Sequence, residues 1–125
     1  MELATAFTFR QTELECLKDL GYEVSQYKSG EDMANSPQAH AAEVLVAYHR
    51  ALTTEFLDQC SRVRWVQVPH VGVEHLNLEY FSRRGIMVTN ARGSLGAGIA
   101  EVILLKMLMM ARNSPAYLQN QAQRV

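Results

Sequence analysis

The chain has 125 residues, of which 48% are hydrophobic and 20% charged, with a formal net charge of −1. That length suits one domain with a single core, and that composition excludes wholesale disorder. The near-neutral charge gives no bulk electrostatic case for nucleic acid or an anionic membrane as partner.

Strand and helix signals alternate from the N-terminus onward. Leu3 to Phe9 is a short apolar strand candidate. Gln11 to Leu20 carries Leu14, Leu17 and Leu20 at helical spacing, and Gly21 is a natural stop. Tyr22 to Tyr27 alternates as a strand, and the polar stretch Ser29 to His40, with Gly30 and Pro37, has room for one short helix. Glu43 to Tyr48 reads as a buried strand, after which Thr53 or Thr54 caps a helix through Cys60. Val63 to Val68 is the fourth strand. Asn77 caps Leu78 to Arg84, which closes at Gly85, and Ile86 to Thr89 is the fifth strand. A last helix runs from about Gly98 to Asn113, followed by a polar tail that continues as helix or frays.

Five strands separated by helices predict a parallel sheet covered on both faces, because parallel neighbours need crossover connections. Right-handed crossovers favour a flavodoxin-like α/β fold with strand order 2-1-3-4-5. The expected division is a domain over 1–113 and a tail, or start of a connection, over 114–125. Cys16 and Cys60 form no C-x-x-C pair and read as buried thiols of a reducing compartment. Met1 to Thr5 lacks a basic leader, so a cytoplasmic location is expected.

Ligands of such sheets sit beyond the carboxyl ends of the strands. There the chain places Tyr48, His49 and Arg50, then Pro69, His70, Val71 and Gly72, then Asn90, Ala91, Arg92 and Gly93. With His49, Arg50, His70 and Arg92 on one rim and Glu74 as its carboxylate, a small anion is the expected ligand. Gly72 would let that ligand approach the backbone closely. Gly93, Gly96 and Gly98 precede the last helix, whose first-turn N–H groups have no internal partners. Their spacing is not the dinucleotide fingerprint. That helix carries Ile99, Val102, Ile103, Leu104, Leu105, Met107, Leu108, Met109 and Met110, so it needs cover on more than one side. Its apolar run is too short to cross a bilayer, and a homodimer through it is the expectation.

At Trp65-Val66-Gln67, Val71-Gly72-Val73-Glu74-His75-Leu76, Arg84-Gly85-Ile86-Met87-Val88-Thr89-Asn90, and Ala100-Glu101 with Ala111-Arg112-Asn113, the chain resembles the D-isomer-specific 2-hydroxyacid dehydrogenases. The resemblance covers residues 44–115 best. It implies the flavodoxin-like substrate domain of a two-domain enzyme that interconverts 2-hydroxy and 2-oxo acids with NAD or NADP. By position, the N–H groups of Val71 and Gly72 would hold the substrate carboxylate, while Tyr48, Pro69 and His70 line the pocket. Leu95, Gly96 and Ile99 would face the nicotinamide. Glu74 stands where the family usually has Asp, and Val102 where it commonly has His.

The family's catalytic arginine, acid and histidine belong to an NAD-binding Rossmann domain absent from this chain. The resemblance therefore implies no catalytic residue and no metal site here, no bound cofactor, and an inactive fragment. His49, His70 and His75 read as structural or pocket-lining groups. A second class of reading is a non-enzymatic flavodoxin-like module: a flavin carrier, a receiver, or a nucleotide-sensing offshoot of the same family. Phe9-Arg10-Gln11-Thr12 supplies no flavin phosphate loop, and the first and third strands end without the carboxylates a receiver needs.

Overall fold

A computed structural model describes residues 1–124, which divide into two compact units, Met1–Ala91 and a second that begins at Arg92. The first unit is a five-stranded, wholly parallel sheet in the order β2-β1-β3-β4-β5. Its strands are β1 (Glu2–Thr5), β2 (Glu23–Gln26), β3 (Val44–Val46), β4 (Trp65–Gln67) and β5 (Met87–Thr89). They are shorter than the apolar runs that announce them. The first, expected to reach Phe9, leaves the sheet after Thr5, whose buried hydroxyl accepts from the Phe7 N–H at 2.9 Å and closes a local turn.

Side chains set the helix boundaries. α1 (Gln11–Asp19) opens where the Glu13 carboxylate accepts from the Arg10 N–H at 2.8 Å, and ends at Gly21, whose φ is +83°. The polar stretch after β2 holds two short helices, α2 (Gly30–Ala34) and α3 (Pro37–His40), where one was expected. Pro37 can begin a helix but has no N–H with which to continue one from Met33. Thr53 caps α4 (Thr54–Gln59), accepting from the Phe56 N–H at 3.3 Å. Asn77 caps α5 (Leu78–Arg83), accepting from the Tyr80 N–H at 3.1 Å. The chain then turns through Gly85 at φ +66°. A 3-10 turn at His49–Ala51 was not anticipated.

The main core lies on one face of the sheet. Ala4, Leu45, Val66 and Val68 meet Met33, Leu52, Phe56, Leu57 and Phe81 from the covering helices. On the other face Leu3, Val44 and Val46 pack with Phe7, Phe9, Tyr22, Val24 and Trp65. Leu17 of α1, with Leu20, borders the hollow over that face. Buried on both sides, β3 is three apolar residues in a row, without the alternation of a half-exposed strand.

The registers bring Gln26, Thr5, Val46, Gln67 and Thr89 into one row, so all five strands finish level. Every following loop therefore leaves from one edge.

The second unit holds α6 (Gly96–Ala111) and α7 (Ser114–Gln123), joined through Asn113 in the left-handed region at φ 53°. The last helix begins at Gly96, one half-turn before the expected Gly98, and the tail beyond it is helical. No residue of α6 is buried. No described helix is long and apolar enough to cross a membrane.

Candidate functional site

The loop after β4 is fixed by its neighbours. The Val68 N–H donates to the Thr89 carbonyl at 2.8 Å, and the Ala91 N–H to the His70 carbonyl at 3.1 Å, so pairing persists beyond the strand ends. The Asn90 side-chain amide donates to the Val71 carbonyl at 2.6 Å. One step back, the Trp65 indole donates to the Thr89 hydroxyl at 2.7 Å, and that hydroxyl donates to the Gln67 side-chain oxygen at 2.5 Å. The Gln67 amide in turn donates to the Val68 carbonyl at 2.9 Å. Trp65, Gln67, Thr89 and Asn90 thus form one polar brace that aims residues 68–72.

Nearby, Arg84 donates to the carbonyls of Leu57 at 3.1 Å and Cys60 at 3.0 Å at the end of α4, the Leu57 carbonyl also accepting from the Cys60 N–H at 3.0 Å. It also pairs with Asp58 at 3.4 Å and stacks over Tyr80. The Arg-Gly-Ile-x-Val-Thr-Asn run therefore has a physical content: a helix-end clamp, a left-handed turn, a buried Ile86, then two loop braces.

Neither the Val71 nor the Gly72 N–H donates to an acceptor among the described residues. Two adjacent backbone donors at a strand end suit a carboxylate. Gly72 does not have positive φ; an added Cβ would lie 2.6 Å from both carboxylate oxygens of Glu74, the end of an exposed, flexible side chain that would have to swing aside. The expected close approach at Gly72 is made first by the protein's own carboxylate. Glu74's own N–H, and to a smaller extent His75 and the Val73 N–H, hold the Glu74 carboxyl below the usual carboxylate range against a smaller opposing effect of desolvation.

Tyr48, half exposed, stacks on His70 with ring centroids 5.7 Å apart and 17° between planes. His49, in the unanticipated 3-10 turn, places its ring 5.4 Å from that of His70 and 4.9 Å from that of His75. His49 Nδ1 and His70 Nε2 approach to 3.4 Å. Desolvation first, then the neighbouring His75, His70 and Arg50, holds the His49 imidazole below its ordinary range; Glu74 opposes this. His75 lies 3.9 Å from the Glu74 carboxylate. Three imidazoles thus gather where the sequence placed two on the rim and gave His75 a structural or pocket-lining role.

Arg50 lies beside Tyr48 in an open cleft of about 400 Å³ that Gly30, Glu31 and Thr53 also line. Among the described residues no group of three His, Cys, Asp or Glu side chains is arranged to hold a metal ion.

Tyr48, Pro69, His70, Val71 and Gly72 are therefore brought to one edge of the first unit. Leu95, Gly96 and Ile99 belong to the second unit, at the entry to α6. There Ser94, Leu95, Gly98, Ile99, Val102 and Ile103 line a shallow, mostly apolar hollow of about 420 Å³. An added Cβ at Gly96 or Gly98 would meet nothing within 4 Å, so the helix entry is bare. The sequence named His75 as a structural or pocket-lining group and Asn90 as a strand-end residue, but not the ring contact of His75 with His49 or the Asn90 tether to the Val71 carbonyl. Their only signal was position after a strand.

A family model described as D-isomer specific 2-hydroxyacid dehydrogenase, catalytic domain, matches residues 3–123. Formate dehydrogenase from Candida boidinii is 32% identical over 104 residues, which is 78% of this chain and 29% of that protein. Erythronate-4-phosphate dehydrogenase from Shewanella loihica is 31% identical over 83 residues, 66% of this chain and 22% of that one. The chain thus spans less than a third of the length of these relatives. Among solved structures, the TT0316 protein from Thermus thermophilus superposes with a TM-score of 0.75 at 23% identity, over 98% of this chain and 40% of that one. D-lactate dehydrogenase from Aquifex aeolicus, crystallised with NAD and lactic acid, gives a TM-score of 0.67 at 17% identity, over 98% and 37%. At such identities these structures share the fold.

Proposed function

This chain belongs to the D-isomer specific 2-hydroxyacid dehydrogenase family, and we propose that it binds the acid substrate of an NAD(P)-dependent oxidoreductase interconverting 2-hydroxy and 2-oxo acids. The observation that carries this reading is the pair of unspent N–H groups at Val71 and Gly72, in a loop held through the His70 and Val71 carbonyls by Ala91 and Asn90 just after β5. Both oxygens of a substrate carboxylate would be bound there, with Tyr48, Pro69 and His70 as walls. Holding the acid in one orientation lowers the entropic part of the barrier to transfer.

Hydride exchange is the chemistry that a nicotinamide cofactor supplies when bound. The Leu95, Gly96 and Ile99 entry of α6 fits the nicotinamide side of that group, being apolar and free of side-chain obstruction at its glycines. We assign 1–113 to the substrate domain and 114–125 to the start of a connection to an NAD-binding domain. The 125-residue chain alone is expected to leave NADH unoxidised in the presence of glyoxylate or pyruvate. The exposed apolar run of α6, including Leu104, Leu105 and Leu108, supports a homodimer in the same reading. Light scattering showing a monomer at high micromolar concentration would remove it.

The test of the site is binding. Glyoxylate added to the isotope-labelled chain should shift the Val71 and Gly72 amide resonances and saturate. In a longer protein carrying both domains, Gly72→Val displaces Glu74 and covers the donor pair, so KM should rise at least tenfold. Unmoved amides, or an unchanged KM, would refute the assignment.

A further inference from the structure

Three of the chain's four histidines converge at the edge already described, and the family role assigned to this domain uses none of them as acid or base. His49 enters from the turn after β3, His70 from the loop after β4, and His75 from further along that loop. His70 directly precedes the Val71–Gly72 donor pair. The cluster begins where a bound carboxylate would end.

Charge explains why this is unusual. His49 faces His70, His75 and Arg50, with Glu74 as the carboxylate near it. Glu74 is already engaged by backbone N–H groups, and Arg50 shares its cleft with Glu31. Three imidazoles in ring contact cannot all carry protons unless something supplies negative charge. The arrangement does not suit a metal ion, and Tyr48 stacked on His70 braces the cluster in place.

We infer that His49, His70 and His75 form a subsite for a second anionic group on the substrate, a phosphomonoester or a distal carboxylate, next to the carboxylate held by Val71 and Gly72. This rests on the proposed function for the donor pair and narrows its substrate class to dianionic 2-hydroxy or 2-oxo acids. Binding is coupled to proton uptake. An anion held among these rings favours their protonated forms, so its arrival recruits protons onto the imidazoles. Affinity therefore rises as pH falls, the reverse of what a site made of lysine or arginine alone would show over this range.

The test is an NMR titration of all four imidazoles of the 125-residue chain in inorganic phosphate, in malonate, and in chloride at matched ionic strength. In phosphate or malonate, His49, His70 and His75 should titrate about one unit higher than in chloride, while His40 serves as internal control, its ring held by the Ala34 carbonyl at 2.7 Å. The favoured anion should bind about tenfold tighter at pH 5.5 than at pH 7.5. His75→Gln, at an exposed position, should weaken that binding severalfold, with its urea midpoint checking the fold. A response to phosphate alone assigns a phosphomonoester; a response to malonate alone assigns a distal carboxylate.

Superimposable titrations in all three salts would overturn the subsite. So would an equal response of His40, or affinity unaltered in His75→Gln. If glyoxylate moves the Val71 and Gly72 amides while the histidines ignore both anions, the subsite fails and the proposed function stands. If the histidines respond while glyoxylate leaves those amides unmoved, the anion site stands, and its connection to a 2-oxo acid falls.

Discussion

The brace around Thr89 offers a direct test of how the site loop is held. Thr89→Val keeps the β-branched shape that a strand favours and removes one hydroxyl. That hydroxyl accepts from the Trp65 indole at 2.7 Å and donates to Gln67 at 2.5 Å. Each such bond contributes about 0.5–1.5 kcal/mol net. Two bonds give about 2 kcal/mol, lowered to about 1.5 kcal/mol because these groups are only partly buried and water can replace part of the loss. For a unit the size of Met1–Ala91 this is a fall in Tm of about 6–12 °C. Urea denaturation followed through the fluorescence of Trp65, the chain's single tryptophan, reads the change beside the reporter. Thr89→Ser, which restores the hydroxyl, should recover most of the loss. A valine variant within about 0.3 kcal/mol of the parent, below the usual scatter of surface substitutions, would refute the brace. A serine variant as unstable as the valine one would do the same.

Arg84→Met should cost about 1–2 kcal/mol, since the Cys60 carbonyl loses its side-chain donor and the Leu57 carbonyl keeps only the Cys60 N–H; Arg84→Lys should restore at most half, and equal urea midpoints for all three proteins would contradict the clamp. Of the two thiols expected to be buried only Cys60 is, and burial pushes it up to about 11, so a disulfide reagent at pH 8 should modify the exposed Cys16 quickly and Cys60 only on unfolding. Because this acid is raised on folding, its contribution is intact below the ordinary thiol value of 9.0 and is lost as pH climbs from there toward 11; a pH–stability curve flat across that window would contradict it. Gly72→Ala should push the Glu74 carboxylate off the loop, letting it titrate closer to the ordinary carboxylate range by NMR. No movement of that titration would mean Glu74 does not depend on the bare Cα.

How much was readable in advance differs between elements for definite reasons. Caps are local, so Thr53, Asn77, Gly21 and Gly85 announced α4, α5 and the turns correctly. The division of Ser29 to His40 into two helices was also local, yet hidden, because Pro37 is compatible with both a loop and a helix start. The 3-10 turn at His49–Ala51 carries no strong signal of its own. The strand-end rule placed Tyr48, Pro69, His70, Val71 and Gly72 on a common edge, and the level row from Gln26 to Thr89 is why it succeeded.

From the amino-acid order alone came the alternation of strand and helix, the helix stops, the family motifs and the strand-end edge that gathers Tyr48, Pro69, His70, Val71 and Gly72. These follow from periodicity, capping chemistry and crossover handedness, which act over a few residues or along one topology. Only the tertiary structure brought His75 against His49, laid Glu74 over Gly72, and joined Trp65, Gln67 and Thr89 through one hydroxyl. Such contacts depend on strand register and loop path, where a shift of one residue turns every side chain to the opposite face.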